Sequence, residues 1–256
     1  MAKIFCVANQ KGGVGKTTTA VNLAAGLAQL NQRVLLADLD PQGNATMGAG
    51  INKGTLTASI YEVLLGMSDI QSVRKTSETG RFDVLPANRE LAGAEVEMVE
   101  LENREKRLKD AFISVADDYD FILIDCPPAL SMLTLNGLCA ANGVIIPMQC
   151  EYYALEGLSD LVNTIKKVHA NLNPDLKIIG LLRVMFDPRM TLSQQVSEEL
   201  EKHFGDKVFK TVIPRNVRLA EAPSYGMPGV TFDAASKGAQ AYIAFGAEMV
   251  ERIKTM

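Results

Sequence analysis

Along the chain, short runs of apolar residues alternate with longer stretches in which apolar positions recur every three to four residues. The short runs, Lys3–Asn9, Arg33–Asp38, Phe82–Pro86, Phe121–Asp125, Val144–Met148, Ile178–Met185 and Val208–Ile213, are rich in Val and Ile and predict strands. Two of them, Phe121-Ile122-Leu123-Ile124 and Val144-Ile145-Ile146, are apolar at every position. A strand with one wet face alternates; one without alternation is covered on both faces, as in a mostly parallel sheet between helix layers. Helical period marks Thr17–Leu30, Ser59–Leu65, Val96–Ala116, Leu133–Ala140, Leu155–Ala170, Leu192–Phe204 and Gly238–Lys254. This alternation predicts a doubly wound α/β fold with helices on both faces of one sheet, as a single domain over residues 1–256. Gly43–Gly80 mixes Gly, Ser and Thr around a short helix and reads as an insertion after the second strand.

The segment with the most specific chemistry is Asn9-Gln10-Lys11-Gly12-Gly13-Val14-Gly15-Lys16-Thr17-Thr18, between the first strand and the first helix. That is the setting of a phosphate-binding P-loop. Glycines let consecutive N–H groups curl inward toward phosphate oxygens, and the helix N-terminus adds its positive dipole end. Residues 11–18 are therefore expected to bind nucleotide, with Lys16 on the β- and γ-phosphates and the Thr17 hydroxyl on Mg²⁺. The pattern departs from the strict G-x-x-x-x-G-K-[ST] motif, because Gln10 stands at the first Gly position and Lys11 adds a cation.

Carboxylates follow at the ends of two strands. Phe121–Asp125 is an apolar strand ending in an acid, so Asp125 is expected to hold Mg²⁺, through water, beside the P-loop. The second strand runs into Asp38-Leu39-Asp40-Pro41-Gln42-Gly43-Asn44. Ligands of open parallel sheets lie at the C-terminal strand ends, so both aspartates face the phosphates. Asp40 is expected to orient the attacking water and Asp38 to support the magnesium shell.

Charge and cysteines narrow the picture. The chain carries 26 basic and 30 acidic residues, net −4, which argues against a general nucleic-acid binder unless positive charge is sorted locally. Cys6, Cys126, Cys139 and Cys150 form no C-x-x-C pair, and His169 and His203 stand alone, so neither zinc nor an iron–sulfur cluster is expected. Buried, reduced thiols in a cytoplasmic protein are expected instead. No apolar run approaches the ~20 residues of a membrane span, and no signal peptide is read at the N-terminus.

With Lys11 in the loop, Asp38–Asn44 after the second strand and Asp125-Cys126-Pro127-Pro128, the chain resembles the deviant Walker A ATPases, specifically the ParA/Soj-type chromosome- and plasmid-partitioning ATPases. The resemblance spans nearly the whole chain and includes Asp187-Pro188-Arg189 and Ile213–Gly226. It implies a slow, partner-stimulated ATPase with ATP and Mg²⁺ as cofactors. It also implies an ATP-sandwich homodimer in which Lys11 of one subunit reaches the other's phosphates, a role chemically like that of an arginine finger. Pro214 and Asn216 are implied at the adenine, where an amide can both donate and accept.

Such a resemblance further implies nonspecific DNA binding by the ATP-bound dimer, a nucleoid-associated location and a ParB-type centromere-binding partner. Between Arg183 and Arg218 lie seven basic residues (Arg183, Arg189, Lys202, Lys207, Lys210, Arg215 and Arg218) against five acids. Sequence-independent binding needs phosphate neutralisation, and Arg189 and Arg218 are the expected DNA contacts, with Lys237 as a further cation. Three other readings share the nucleotide site. A MinD-like membrane-cycling ATPase needs a bulky amphipathic C-terminal helix, whereas Ala241–Met256 carries small side chains and mixed charge; no stable membrane association is expected. An iron protein of the nitrogenase-reductase type needs cysteine surroundings absent here. A non-hydrolysing nucleotide scaffold is disfavoured by the intact Asp40 and Asp125.

Overall fold

The seven predicted strands all form, and with one more they make an eight-stranded sheet of order β3-β4-β2-β5-β1-β6-β7-β8. The computed structural model describes residues 1–152 and 154–254. In chain order the elements are β1 (Lys3–Val7), α1 (Lys16–Gln29), β2 (Val34–Asp38), α2 (Asn44–Gly48), α3 (Ile60–Leu65), α4 (Ile70–Val73), β3 (Lys75–Ser77) and β4 (Phe82–Leu85). They continue with α5 (Leu91–Glu97), α6 (Arg107–Phe112), β5 (Phe121–Asp125), α7 (Met132–Ala140), β6 (Gly143–Met148), α8 (Ala154–Asn171) and β7 (Lys177–Phe186). The C-terminal part holds α9 (Thr191–Phe204), β8 (Val208–Pro214), α10 (Val217–Glu221), α11 (Gly229–Phe232) and α12 (Lys237–Lys254).

Every pairing is parallel except that of β3 with β4. Successive strand residues bury against opposite helix layers. Phe5, Val7, Leu36, Phe121 and Leu123 join α1 and α12 on one face, whereas Cys6, Leu35, Ala37, Ile122 and Ile124 join α3, α6, α7 and α8 on the other. Strands apolar throughout therefore still sort their side chains two ways. The four cysteines are free and buried. Burial pushes the Cys139 and Cys150 thiols up to about 11, which keeps them protonated.

Two expectations are revised. The helix predicted over Val96–Ala116 is broken, with α5 ending at Glu97 and α6 not beginning until Arg107. Asn103 takes a left-handed φ of 52° in the break. The buried Asn136 of α7 stitches the interruption, accepting from the Leu108 N–H at 3.1 Å and donating to the Arg104 carbonyl at 2.8 Å. The second revision is β3, inside Gly43–Gly80, which packs onto the sheet as a short polar edge strand. With almost no apolar face, Lys75-Thr76-Ser77 carries no strand pattern; short polar edges also discourage intermolecular pairing.

The opposite edge, β8, is irregular. Between Leu181↔Val208 and Arg183↔Val212, β8 takes four steps where β7 takes two. The Glu248 carboxylate of α12 accepts the N–H groups of Lys210 and Thr211 there, each at 2.8 Å. Burial alone would raise the pKa of Glu248, but these donors and Arg252 hold it below the usual range. Replacing Glu248 with Ala strands two N–H groups, and urea unfolding is expected to show a loss of about 1–3 kcal/mol. Because the folded-state pKa is depressed, this stabilisation exists above the unfolded glutamate pKa and fades as pH falls through the folded value. The parent protein should therefore converge on Glu248→Ala in stability at acid pH.

Candidate functional site

β1 lies centrally, between β5 and β6, where the chain's winding reverses direction, and the crevice at such a switch point is the ligand position of open α/β sheets. The loop leaving β1 is anchored by Asn9, whose side-chain amide donates to the Pro147 carbonyl at 2.8 Å. Gly13 (φ 74°) and Gly15 (φ 78°) are left-handed, which costs glycine little. A Cβ built at Gly12 or Gly13 would meet no heavy atom within 4 Å, so the backbone faces open space there. Val14 is buried and pins the loop from behind. α1 starts at Lys16 with no side-chain N-cap and no acid in its first turn. Its first N–H groups are thus left for an external anion.

Behind this loop, β2 and β5 are paired in a register that sets Asp38 opposite Asp125, both fully buried. Thr17 Oγ1 donates to Asp125 Oδ2 at 2.7 Å, while Asp125 Oδ1 is buried without a partner. Burial, then the facing charge of Asp38, raises the Asp125 pKa well above the carboxylate range. Burial likewise pushes Asp38 up to about 6 against the pull of its hydrogen bonds. Lys16 is 7% exposed, and burial lowers its pKa although Asp125 opposes the shift. Its ammonium donates to the Lys11 carbonyl at 3.0 Å.

The cluster fits a hard dication with oxygen ligands. Thr17 Oγ1 and Asp125 supply hydroxyl and carboxylate, and the orphaned Oδ1 lacks the positive partner that burial demands. Among the described residues no group of three or more His, Cys, Asp or Glu could hold a metal alone. Mg²⁺ does not need such a cage, since it keeps waters and shares phosphate oxygens. Asp38 adjoins Asp125 and carries hydrogen bonds of its own. Its Oδ1 accepts the Asp40 N–H at 3.1 Å, and its Oδ2 accepts the Thr46 N–H and hydroxyl, both at 2.8 Å. Thr46 Oγ1 in turn accepts the Ala87 N–H at 2.9 Å, tying α2 to the loop after β4. Asp40 is partly buried and its Oδ1 accepts the Gln42 N–H at 2.9 Å.

Beside α1 a cavity of about 100 Å³ is lined by Gly15, Thr18, Val184, Met185, Pro214 and Asn216, among others. Pro214 and Asn216 thus meet the P-loop. Asn216 caps α10, its Oδ1 accepting the N–H groups of Arg218 (2.9 Å) and Leu219 (3.3 Å). This orients the amide and leaves Nδ2 as a donor, narrower than the donate-and-accept role expected from sequence. Gln149, Met185 and Thr46 also meet at this region, and a Gln after a strand, a Met ending one and a Thr in a Gly-rich segment carry no motif that marks them in the sequence.

The remaining cations are spread out. Lys11 pairs with Glu151 at 2.6 Å, both about half exposed. Arg189 is exposed and forms a two-point pair with Asp187 (2.9 and 2.7 Å). Arg218 pairs with Glu221 (2.9 Å) and Asp233 (3.3 Å). Arg183 leaves the surface count altogether. It is buried, bonded to Ser197, Glu201 and the Phe209 carbonyl. Lys202 pairs with Glu199, Lys207 donates to the Ile178 carbonyl, and Lys237 is exposed at the start of α12.

Neutralising an orphaned buried carboxylate removes an uncompensated cost. Asp125→Asn is accordingly expected to raise the melting temperature of the ligand-free protein by a few degrees, read by calorimetry. The same change should abolish the further rise that Mg²⁺ with nucleotide gives the parent.

A profile described as an AAA domain matches residues 2–178. The chain is 53% identical to the chromosome partitioning protein ParA of Myxococcus xanthus over 252 residues, covering 98% of this chain and 89% of that one. It is also 53% identical to the sporulation initiation inhibitor protein Soj of Bacillus subtilis, with 97% and 98% covered. Among solved structures, cobyrinic acid a,c-diamide synthase of Mycobacterium smegmatis with bound ADP and magnesium superposes with a TM-score of 0.87 at 39% identity, over 99% of this chain and 96% of that chain. Identity at this level over essentially the full length settles the family: the chain belongs to the ParA/Soj-type partitioning ATPases.

Proposed function

We propose that the protein is an ATP-dependent switch in chromosome or plasmid partitioning that uses Mg²⁺, dimerises on ATP and then holds DNA without sequence preference. The observation that carries the reading is the partnerless Asp125 oxygen beside Thr17, at the mouth of an uncapped helix. When bound, Mg²⁺ would sit with Thr17 and Asp125 and supply charge neutralisation at the phosphates. Lys16 would exchange the Lys11 carbonyl for a phosphate oxygen. Asp40, with one oxygen held by its own loop, is left the other to accept from water.

Lys11 is the group proposed to cross to a second subunit's phosphates. Its pair with Glu151 is half exposed, and pairs of that kind contribute about 0–1 kcal/mol, so exchange for a phosphate costs little. Arg189 and Arg218 are exposed cations whose carboxylate partners can likewise be exchanged for DNA phosphates, and two-fold symmetry would double the patch. A ParB-type protein is proposed as the stimulating partner, in keeping with the partitioning relatives.

Lys16→Ala is expected to abolish ATP binding in isothermal calorimetry; unchanged affinity would overturn the P-loop assignment. Lys11→Ala should keep nucleotide affinity within a few-fold yet remain monomeric with ATP by light scattering. Arg218→Glu should weaken DNA retention about tenfold or more and flatten its salt dependence while ATP-driven dimerisation survives. Gel shifts indifferent to that change would remove Arg218 from the DNA surface.

A further inference from the structure

β7 and β8 fall out of step a second time close to the cavity beside α1. Between Arg183↔Val212 and Phe186↔Pro214, β7 takes three steps where β8 takes two, so β7 carries one extra residue. Within this bulge Met185 adopts φ 51°, a left-handed conformation that glycine takes readily and a long side chain does not. Bulges next to functional sites re-aim a side chain, and backbone strain of this kind persists only where surrounding contacts impose it. Here the bulge sends Met185 into the lining of the cavity, with its Cε 3.8 Å from the position a Cβ on Gly15 would take.

One side chain holds it there. Gln149, immediately after β6, donates its amide Nε2 to the Gly13 carbonyl at 3.2 Å and to the Met185 thioether at 3.1 Å. The register of β6 with β7 explains the reach. Met148 lies opposite Arg183, so the next residues bring Gln149 alongside the bulge. A single amide thus joins the phosphate loop to the wall of the neighbouring cavity. Glutamine suits both contacts, because its amide N–H₂ has two hydrogens, one for the carbonyl and one for the sulfur.

We infer that Met185 is the apolar shelf for the nucleotide base and that Gln149 is a positioning residue, setting the shelf and the Gly13 turn of the phosphate loop at a common spacing. The inference rests on the nucleotide reading above. Thioethers make favourable contacts with aromatic rings, and the shelf faces Pro214 and Asn216 across the same cavity. Base contact and phosphate grip are then linked through one side chain, so the protein discriminates a nucleotide from a bare polyphosphate.

The test uses the full chain, the variants Met185→Gly, Gln149→Leu and their double, and Lys16→Ala as reference. Affinities for Mg-ATP and for Mg-tripolyphosphate, which lacks a base, are measured by calorimetry, with thermal melting of each ligand-free protein. Met185→Gly relieves the left-handed strain, so it should melt no lower than the parent. It should still bind ATP about tenfold more weakly, the scale of one lost apolar contact, with tripolyphosphate affinity unchanged. Gln149→Leu should weaken both ligands, and the double variant should lose less ATP affinity than the product of the single losses. ATP affinity within twofold of the parent in folded Met185→Gly, equal losses for both ligands in that variant, or multiplicative losses in the double would overturn the inference. If Lys16→Ala binds ATP normally, the nucleotide reading itself fails. If Lys16→Ala loses binding while Met185→Gly retains it, only the shelf fails.

Discussion

The structure turns on two carboxylates set side by side in the middle of the sheet without enough positive charge to satisfy them. Asp38 and Asp125 share a register position on adjacent central strands, and burial raises both above their ordinary pKa. Such a pair is costly wherever water is excluded. The fold offsets part of that cost by hydrogen bonding. Asp38 is satisfied by the Asp40 N–H and by Thr46, and half of Asp125 by Thr17. The unsatisfied remainder is the second oxygen of the carboxylate that Thr17 of the P-loop already contacts.

The same bonds that satisfy Asp38 also fasten neighbouring segments. Through Asp40 they reach the loop after β2; through Thr46 they reach α2 and Ala87. The two strand ends are thereby joined to α2 and to the loop after β4 by a continuous set of hydrogen bonds. Gln149 does the equivalent work on the other flank, between the Gly13 turn and Met185. The candidate site is thus framed on both sides by polar side chains that tie one segment to another.

The cations describe a different regime. Lys11, Arg189 and Arg218 are exposed and each is matched to carboxylates of the same chain. Exposed pairs are individually weak and screened by salt, so they are easily traded for phosphate. A chain of net −4 can in this way keep its positive charge quiet until a polyanion is presented. Arg183, by contrast, is locked inside by Ser197, Glu201 and Phe209, and a count of basic residues along the sequence overstates the surface charge by that residue.

Much was legible in the residues alone, because it depends on local periodicity and contiguous motifs. Short Val- and Ile-rich runs apolar at every position read as strands covered on both faces, and they place Phe121–Asp125 centrally. The glycines and Lys16-Thr17 lie within one turn of chain, so their spacing carries the loop's geometry with it. Elements that depend on distant partners were not legible. The interruption of the helix after Glu97 is held by Asn136, some thirty residues on. β3 has no apolar face to announce it, and its pairing exists only because β4 lies beside it. The orientation of the Asn216 amide, the burial of Arg183 and the left-handed turn at Met185 are likewise decided by what packs against them. Residue type and spacing determined the fold class and the chemistry on offer. Three-dimensional packing decided which oxygens stay unsatisfied, which cations are free to exchange and which side chains line the cleft, since those depend on contacts between segments far apart in the chain.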